Sequence, residues 1–196
     1  MEVTKSQGGI RQNPAGDWPK IDTSSFVDPS AQIMGNVQIG PNVYVGPLSV
    51  VRADEVDSEG KVHPVIIEEG SLIQDGVIVH ARAGTVVRIG PRANIAHGVI
   101  IHGPCEIQQD CFLALRAAIY NSTLEEGVWV GIGSIVMRTT VPSHTMIPAG
   151  SLVRSNADIR PFRIANVKEE DYKKDVFAAS TILRESYKKL YRSAKL

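Results

Sequence analysis

Aliphatic residues recur at every sixth position through most of this chain of 196 residues. The longest unbroken run consists of Ile89, Ile95, Ile101, Ile107, Leu113 and Ile119. Two positions before each of them stands another small or aliphatic residue, and turn-forming Gly, Pro or Asp follows many of them. A period of two within each segment indicates a short β-strand. A strand and a turn in every six residues predict a β-solenoid with three strands in each coil of eighteen, because such coils bury their aliphatic side chains by stacking on one another.

The repeat resembles the hexapeptide repeat of left-handed parallel β-helices, and this resemblance supplies the hand. We therefore predict an all-β solenoid over residues 21–160, with an extended N-terminal arm over residues 1–20. From residue 168 to 196 the six-residue period is absent, and apolar residues recur at three- and four-residue steps, which predicts one amphipathic α-helix. The predicted apolar face consists of Val176, Ala179, Ile182, Leu183, Tyr187 and Leu190. We expect it to lie along the solenoid or against a neighbouring subunit.

The composition argues against several kinds of partner. Lys and Arg total 21, as do Asp and Glu, so the formal net charge is zero, and we expect neither nucleic-acid nor membrane binding. No signal peptide is visible, and no run is long enough to span a bilayer. Cys105 and Cys111 fall at inward positions of the repeat, which favours two reduced core thiols and a cytoplasmic location.

The period also predicts which side chains share an edge of the solenoid. If the polar stretch between residues 53 and 63 loops out, His80 and His102 each follow an aliphatic residue of the same face on adjacent coils. We expect the two histidines to stack in one column, about 4.7–4.9 Å apart. Arg52 follows the same face one coil earlier and extends this column.

His97 lies on a different edge, with Gln74 and Asp75 at the same corner one coil earlier. A symmetric oligomer can bring this corner of one chain against the histidine column of the next, and a triangular prism with two such surfaces closes naturally as a ring of three. A metal ion would then lie between subunits, held by His80 and His102 of one chain and His97 of its neighbour. Three neutral imidazoles with an open fourth position are typical of a catalytic zinc site.

Four stretches carry a resemblance to a known family: VRADE at Val51–Glu55, IQDGVIVH at Ile73–His80, NIAHGVIIHGP at Asn94–Pro104 and MIPAGSLV at Met146–Val153. In these stretches the chain resembles the gamma-class carbonic anhydrases, and the resemblance covers roughly residues 10 to 160. It implies a homotrimer with interfacial metal ions, usually Zn2+ and sometimes Fe2+ or Co2+. It also implies a lyase that hydrates CO2 reversibly to bicarbonate.

Each polar residue of the two groups then has an expected role. A divalent metal held by three imidazoles lowers the pKa of bound water to about 7, so that water becomes a nucleophile toward CO2. Gln74 is suited to orient that water. Arg52 and Asp75 carry opposite charges that we expect to pair across the interface, with Asp54 bracing Arg52. The family implies that Arg52 also holds bicarbonate and that Glu55, in the pattern R-x-D-E, shuttles protons.

The sequence also departs from the family. Arg82 and Ala83 stand where the family carries an acidic loop, and Ala178 and Ser180 fall near the place of a helix-borne Asn and Tyr. We therefore expect a slow carbonic anhydrase, or a homologue that kept the metal and changed its chemistry. Two alternatives share the fold: a hexapeptide-repeat acyltransferase that uses an unmetallated histidine base, and a metal-binding trimeric scaffold without turnover.

Overall fold

The protein, seen in a computed structural model that describes residues 9–193, consists of twenty short β-strands followed by two helices. The strands are β1 Ile10–Arg11, β2 Lys20–Ile21, β3 Phe26–Val27, β4 Gln32–Gly35, β5 Val37–Ile39, β6 Tyr44–Val45, β7 Val50–Ala53, β8 Val65–Ile67, β9 Leu72–Ile73, β10 Ile78–His80, β11 Val87–Ile89, β12 Asn94–Ile95, β13 Ile100–Ile107, β14 Phe112–Leu113, β15 Ala118–Leu124, β16 Trp129–Val130, β17 Ile135–Met137, β18 Thr140–Val141, β19 Met146–Ile147 and β20 Leu152–Val153. The helices are α1 Asn156–Ile159 and α2 Val167–Ser193.

The strands form three faces, and the pairs between successive coils are parallel. Face one contains β1, β4, β7, β10, β17 and β20, together with the first parts of the long strands β13 and β15. Face two contains β2, β5, β8, β11, the second part of β13 and of β15, and β18. Face three contains β3, β6, β9, β12, β14, β16 and β19. The predicted left-handed parallel β-helix of hexapeptide repeats is confirmed.

The core consists of the aliphatic residues that recur at every sixth position. Ile67, Ile89 and Ile107, for example, lie above one another on face two and are 0% exposed. Cys105 and Cys111 are buried free thiols in the same core, as predicted. Because neighbouring coils bury these side chains together, the register of every outward-facing side chain follows from the core.

The polar stretch between β7 and β8 loops out, as the sequence predicts. Residues 54–64 contain no strand, and β7 pairs directly with β10 across the loop, with Val51 opposite Val79. Inside the loop, the backbone N–H of Lys61 donates to Oδ1 of Asp57 at 2.9 Å. The insertion therefore leaves the stacking of face one unbroken.

The two ends of the chain are described in part. Residues 1–8 of the predicted arm and residues 194–196 of the predicted helix lie outside the described residues. β1 and β2 already pair with β4 and β5, and Trp18 between them is 40% exposed. Neither of the two helices in the described part of the chain is long and apolar enough to cross a membrane.

The face that α2 turns toward the solenoid differs from the predicted apolar face. Tyr187 packs on Phe26, with ring centroids 5.3 Å apart, but Ile182 and Leu183 are 69% and 40% exposed. Ser180 is buried instead. Leu190 is 57% exposed, and Ala179 is exposed as well. The prediction of the apolar face is therefore wrong at these four positions.

Hydrogen bonds explain this orientation of α2. Cationic side chains on its inner face donate to backbone carbonyls at the turns of the solenoid: Lys173 to Asp110 and Gly127, Arg184 to Asn42, and Lys188 to Ser24. A hydrogen bond from a charged donor contributes about 1.5–3 kcal/mol, which is as much as burying an Ile or Leu side chain. Several such bonds along one side of the helix outweigh the exposure of its aliphatic residues.

Candidate metal centre at one edge of the solenoid

Three neighbouring strands of face one place a polar column at one edge of the solenoid. In the parallel pairing of β7, β10 and β13, Arg52 stands opposite His80, and His80 stands opposite His102. The centroids of the two imidazole rings are 5.0 Å apart, and the ring planes are nearly perpendicular, at 85°. The column therefore has the composition and the spacing that the sequence predicts.

Each of these two imidazoles carries a buried nitrogen without a hydrogen-bond partner among residues 9–193, namely Nε2 of His80 and Nδ1 of His102. Oε1 of Glu55 lies 3.2 Å from Nε2 of His80, but the two atoms are not aligned as a hydrogen bond. Burial, followed by the positive charge of Arg52, lowers the pKa of His80 below its ordinary value, which favours the uncharged imidazole. Adjacent imidazoles with unpaired nitrogens suit a divalent transition metal such as zinc.

Carboxylates hold the surroundings of the column in place. Nε of Arg52 donates to Oδ1 of Asp54 at 2.9 Å, which braces the guanidinium. The backbone N–H of Ala83 donates to Oε2 of Glu55 at 3.0 Å, which keeps that carboxylate beside His80. Ala83 thus contributes through its backbone at a place where its side chain offers no acid.

The second predicted group lies at the corner where face three turns into face one. Nδ1 of His97 lies 3.5 Å from Oδ2 of Asp75, and the two side chains are 54% and 52% exposed. A Cβ at Gly46 would stand 2.6 Å from Oδ1 of Asp75, so any larger residue there would displace the Asp75 carboxylate. Gln74 is only 7% exposed. The corner therefore exposes His97 and Asp75, whereas Gln74 is buried.

The two groups do not meet within one chain. In the part of the chain that the structure describes, no three His, Cys, Asp or Glu side chains converge closely enough to hold a metal ion. Between the groups, on the outer side of face one, lies a row of apolar side chains in strand register, which we call the apolar column: Val50, Ile78, Ile100, Ala118, Ile135 and Leu152. The four large members, Ile and Leu, are 41–49% exposed. Exposed apolar patches on folded proteins are common at contact surfaces between proteins.

Tyr120 extends the polar column by one coil and was not among the predicted site residues. It stands opposite His102, with ring centroids 5.7 Å apart. The guanidinium of Arg138 lies over this ring, 5.7 Å from its centroid. The six-residue period contains the signal that would have identified Tyr120, because this residue follows Ile119 as His102 follows Ile101.

Ser180 links α2 to the second group. Nε2 of Gln74 donates to Oγ of Ser180 at 3.1 Å, and both side chains are buried. The family resemblance placed Ser180 near the site, but the period of the solenoid carries no information about this contact. The Nε2 end of the Gln74 amide therefore faces the helix.

The comparisons with known proteins identify the family. A model of the bacterial transferase hexapeptide family (six repeats) matches residues 19–53. The carbonic anhydrase of Methanosarcina thermophila is 30% identical over 184 residues, covering 81% of this chain and 72% of that protein. The chain belongs to the gamma-class carbonic anhydrase family.

Two further similarities show how widely this family and its fold are used. The carboxysome assembly protein CcmM of Synechocystis is 32% identical over 145 residues, which cover 69% of this chain and only 20% of that much longer protein. A hexapeptide transferase family protein from Anaplasma phagocytophilum superposes with a TM-score of 0.71, at 23% identity, over 93% of this chain and 99% of that one. The second similarity shows the fold alone.

We expect the replacement Ser180→Ala to release the Gln74 amide, because it removes the acceptor for Nε2. The free energy of unfolding should fall by about 1 kcal/mol, and the side-chain amide resonances of Gln74 should shift in NMR spectra. Ser186→Ala on the same helix is the matched control, since Oγ of Ser186 donates to the carbonyl of Ile182 within α2. Gln74 resonances that move no more in Ser180→Ala than in the control would contradict the link.

Proposed function

We propose that the protein is a metal-dependent carbonic anhydrase, a lyase that hydrates CO2 reversibly to bicarbonate at the subunit interfaces of a homotrimer. The observation that carries this proposal is the pair of adjacent imidazoles, His80 and His102, each with a buried nitrogen that has no partner within the described residues. The carbonic anhydrase relative at 30% identity supports the same activity. Zn2+ suits these ligands best, with Fe2+ and Co2+ as alternatives.

The surface of face one supports a centre shared between subunits. The histidine column lies on one side of the apolar column, and the corner with Asp75 and His97 lies on the other. A head-to-tail contact buries the apolar column and brings one side of a chain against the opposite side of its neighbour. His97 would then complete the ligand set of His80 and His102, and Asp75 would approach Arg52.

When bound, the metal supplies Lewis acidity that activates water for attack on CO2 at neutral pH. The residues of the chain position the water and hold the product. Because Nε2 of Gln74 is engaged by Ser180, the carbonyl oxygen of the same amide is the end that can accept a hydrogen bond from water. Arg52, braced by Asp54, presents a fixed positive charge to bicarbonate.

Each hydration also releases a proton that must leave the site. Glu55 is placed for this task, because its carboxylate lies 3.2 Å from His80 while its side chain is 39% exposed to solvent. Arg82 and Ala83 supply no second carboxylate. We therefore propose that proton transfer limits turnover and that the enzyme is slow.

A metal-bound trimeric scaffold without turnover is the second candidate. The 32% identity to a carboxysome assembly protein favours it, as does the absence of a carboxylate at Arg82 and Ala83. An acyltransferase function has the shared fold as its support, at 23% identity to a hexapeptide transferase family protein. It gives no reason for two histidines with unpaired nitrogens in one column.

We expect the protein loaded with Zn2+, Co2+ or, under anaerobic conditions, Fe2+ to hydrate CO2 in a pH-indicator assay. Added imidazole buffer should raise the rate, because it substitutes for the missing acid in proton transfer. Protein carrying the histidine replacements His80→Ala and His102→Ala serves as the inactive control. Inactivity of every metal form at full occupancy would contradict the anhydrase and favour the scaffold.

Mixing two inactive variants tests the shared centre. His97→Ala and His102→Ala should each bind little metal, because each lacks one ligand at every interface. After dissociation and reassembly of an equal mixture, about a quarter of the interfaces should combine an intact histidine column with an intact His97. Metal content and activity near a quarter of the unmodified protein are expected, and no recovery would show that the ligands come from one chain.

A further inference from the structure

A cavity lies between α2 and the outer side of face three. Its volume is about 690 Å3, within the range of small-molecule pockets. Apolar side chains form much of its wall, among them Phe112, Phe177 and Ile182. Its described wall includes none of the residues assigned to the proposed metal centre, so it is a separate feature of the chain.

One uncharged polar side chain, that of Asn94, lines this cavity from the sheet. Asn94 is 3% exposed, and neither its Oδ1 nor its Nδ2 has a hydrogen-bond partner in the described ranges of the chain. The residues opposite Asn94 on the adjacent coils are the apolar Leu72 and Phe112. A buried amide without partners lowers stability, whereas a leucine would continue the packing of the column. The packing of face three therefore gives no reason for asparagine at this position.

The charges around the cavity neutralise one another. Each cation of the rim is paired with a carboxylate: Arg92 with Asp110, Lys173 with Glu170, and Lys174 with Asp171. The remaining titratable group of the wall is the thiol of Cys111, and burial raises its pKa to about 12, so it is uncharged. The cavity therefore suits an uncharged molecule better than an ion.

We propose that this cavity binds a small, uncharged and largely apolar molecule that carries a hydrogen-bond donor and acceptor side by side, as a primary amide or a lactam does. Nδ2 of Asn94 donates to the carbonyl oxygen of the ligand, and the N–H of the ligand donates to Oδ1. The apolar part of the ligand packs against Phe112 and Phe177. Binding satisfies both buried atoms of Asn94 and covers the apolar wall, and it requires no metal.

Benzamide is a suitable probe, and N,N-dimethylbenzamide is its matched control because it keeps the ring and the carbonyl but has no N–H. Each is titrated into the full chain with isotope-labelled isoleucine methyl groups, and the resonance of Ile182 is followed by NMR. We expect benzamide to shift this resonance and to bind at least about tenfold more tightly than its dimethyl analogue. Equal affinity for the two compounds, or an Ile182 resonance that does not move with benzamide, would overturn the proposal.

Two variants show which side chain provides the selectivity. Asn94→Leu should abolish the preference for benzamide, and its melting temperature should equal or exceed that of the unmodified protein because Leu72 occupies the same position one coil away. Thr181→Val, which removes another polar group from the wall, should keep the preference. Retention of the preference in Asn94→Leu, or its loss in Thr181→Val alone, would contradict the assignment. If Asn94→Leu does not fold, the comparison of the two compounds on the unmodified protein decides the matter.

Discussion

The stacking of aliphatic side chains at every sixth residue is the constraint on which the rest of this structure depends. A strand that slipped by one residue would turn its buried side chains outward, so the core holds the register of each coil strictly. His80 and His102 are the outward neighbours of the buried residues Val79 and Ile101, which stand opposite each other. The two imidazoles are therefore brought together by packing in the core and need no contact of their own.

The same constraint explains how much the sequence could predict. The period alone predicts the three faces, the looped stretch after β7 and the column of Arg52, His80 and His102, because each depends on counting residues between buried positions. It also predicts that Asp75 lies beside His97, and the two side chains are 3.5 Å apart. The same counting of residues would also have predicted the position of Tyr120 opposite His102.

Contacts that join the helix to the solenoid lie beyond this rule. The apolar residues of α2 predict that Ile182 and Leu183 pack inward, but hydrogen bonds from Lys173, Arg184 and Lys188 to turn carbonyls turn these residues outward. Such bonds depend on where turns and helix meet in space, which no local period encodes. The unpaired amide of Asn94 is a second such case, because α2 lies over this part of face three and the repeat does not encode the position of α2.

Assembly is the step that would convert two incomplete groups into one centre. Each chain offers two imidazoles on one side of an exposed apolar column and a third on the other, and a ring of chains would join them while burying that column. Anomalous diffraction at the zinc edge, recorded from crystals of the zinc-loaded protein, tests this most directly. We expect one peak at each subunit boundary, about 2.0–2.1 Å from nitrogens of His80 and His102 of one chain and of His97 of the next. Fully loaded protein whose zinc is bound by residues of a single chain, or lies away from these histidines, would contradict the shared centre.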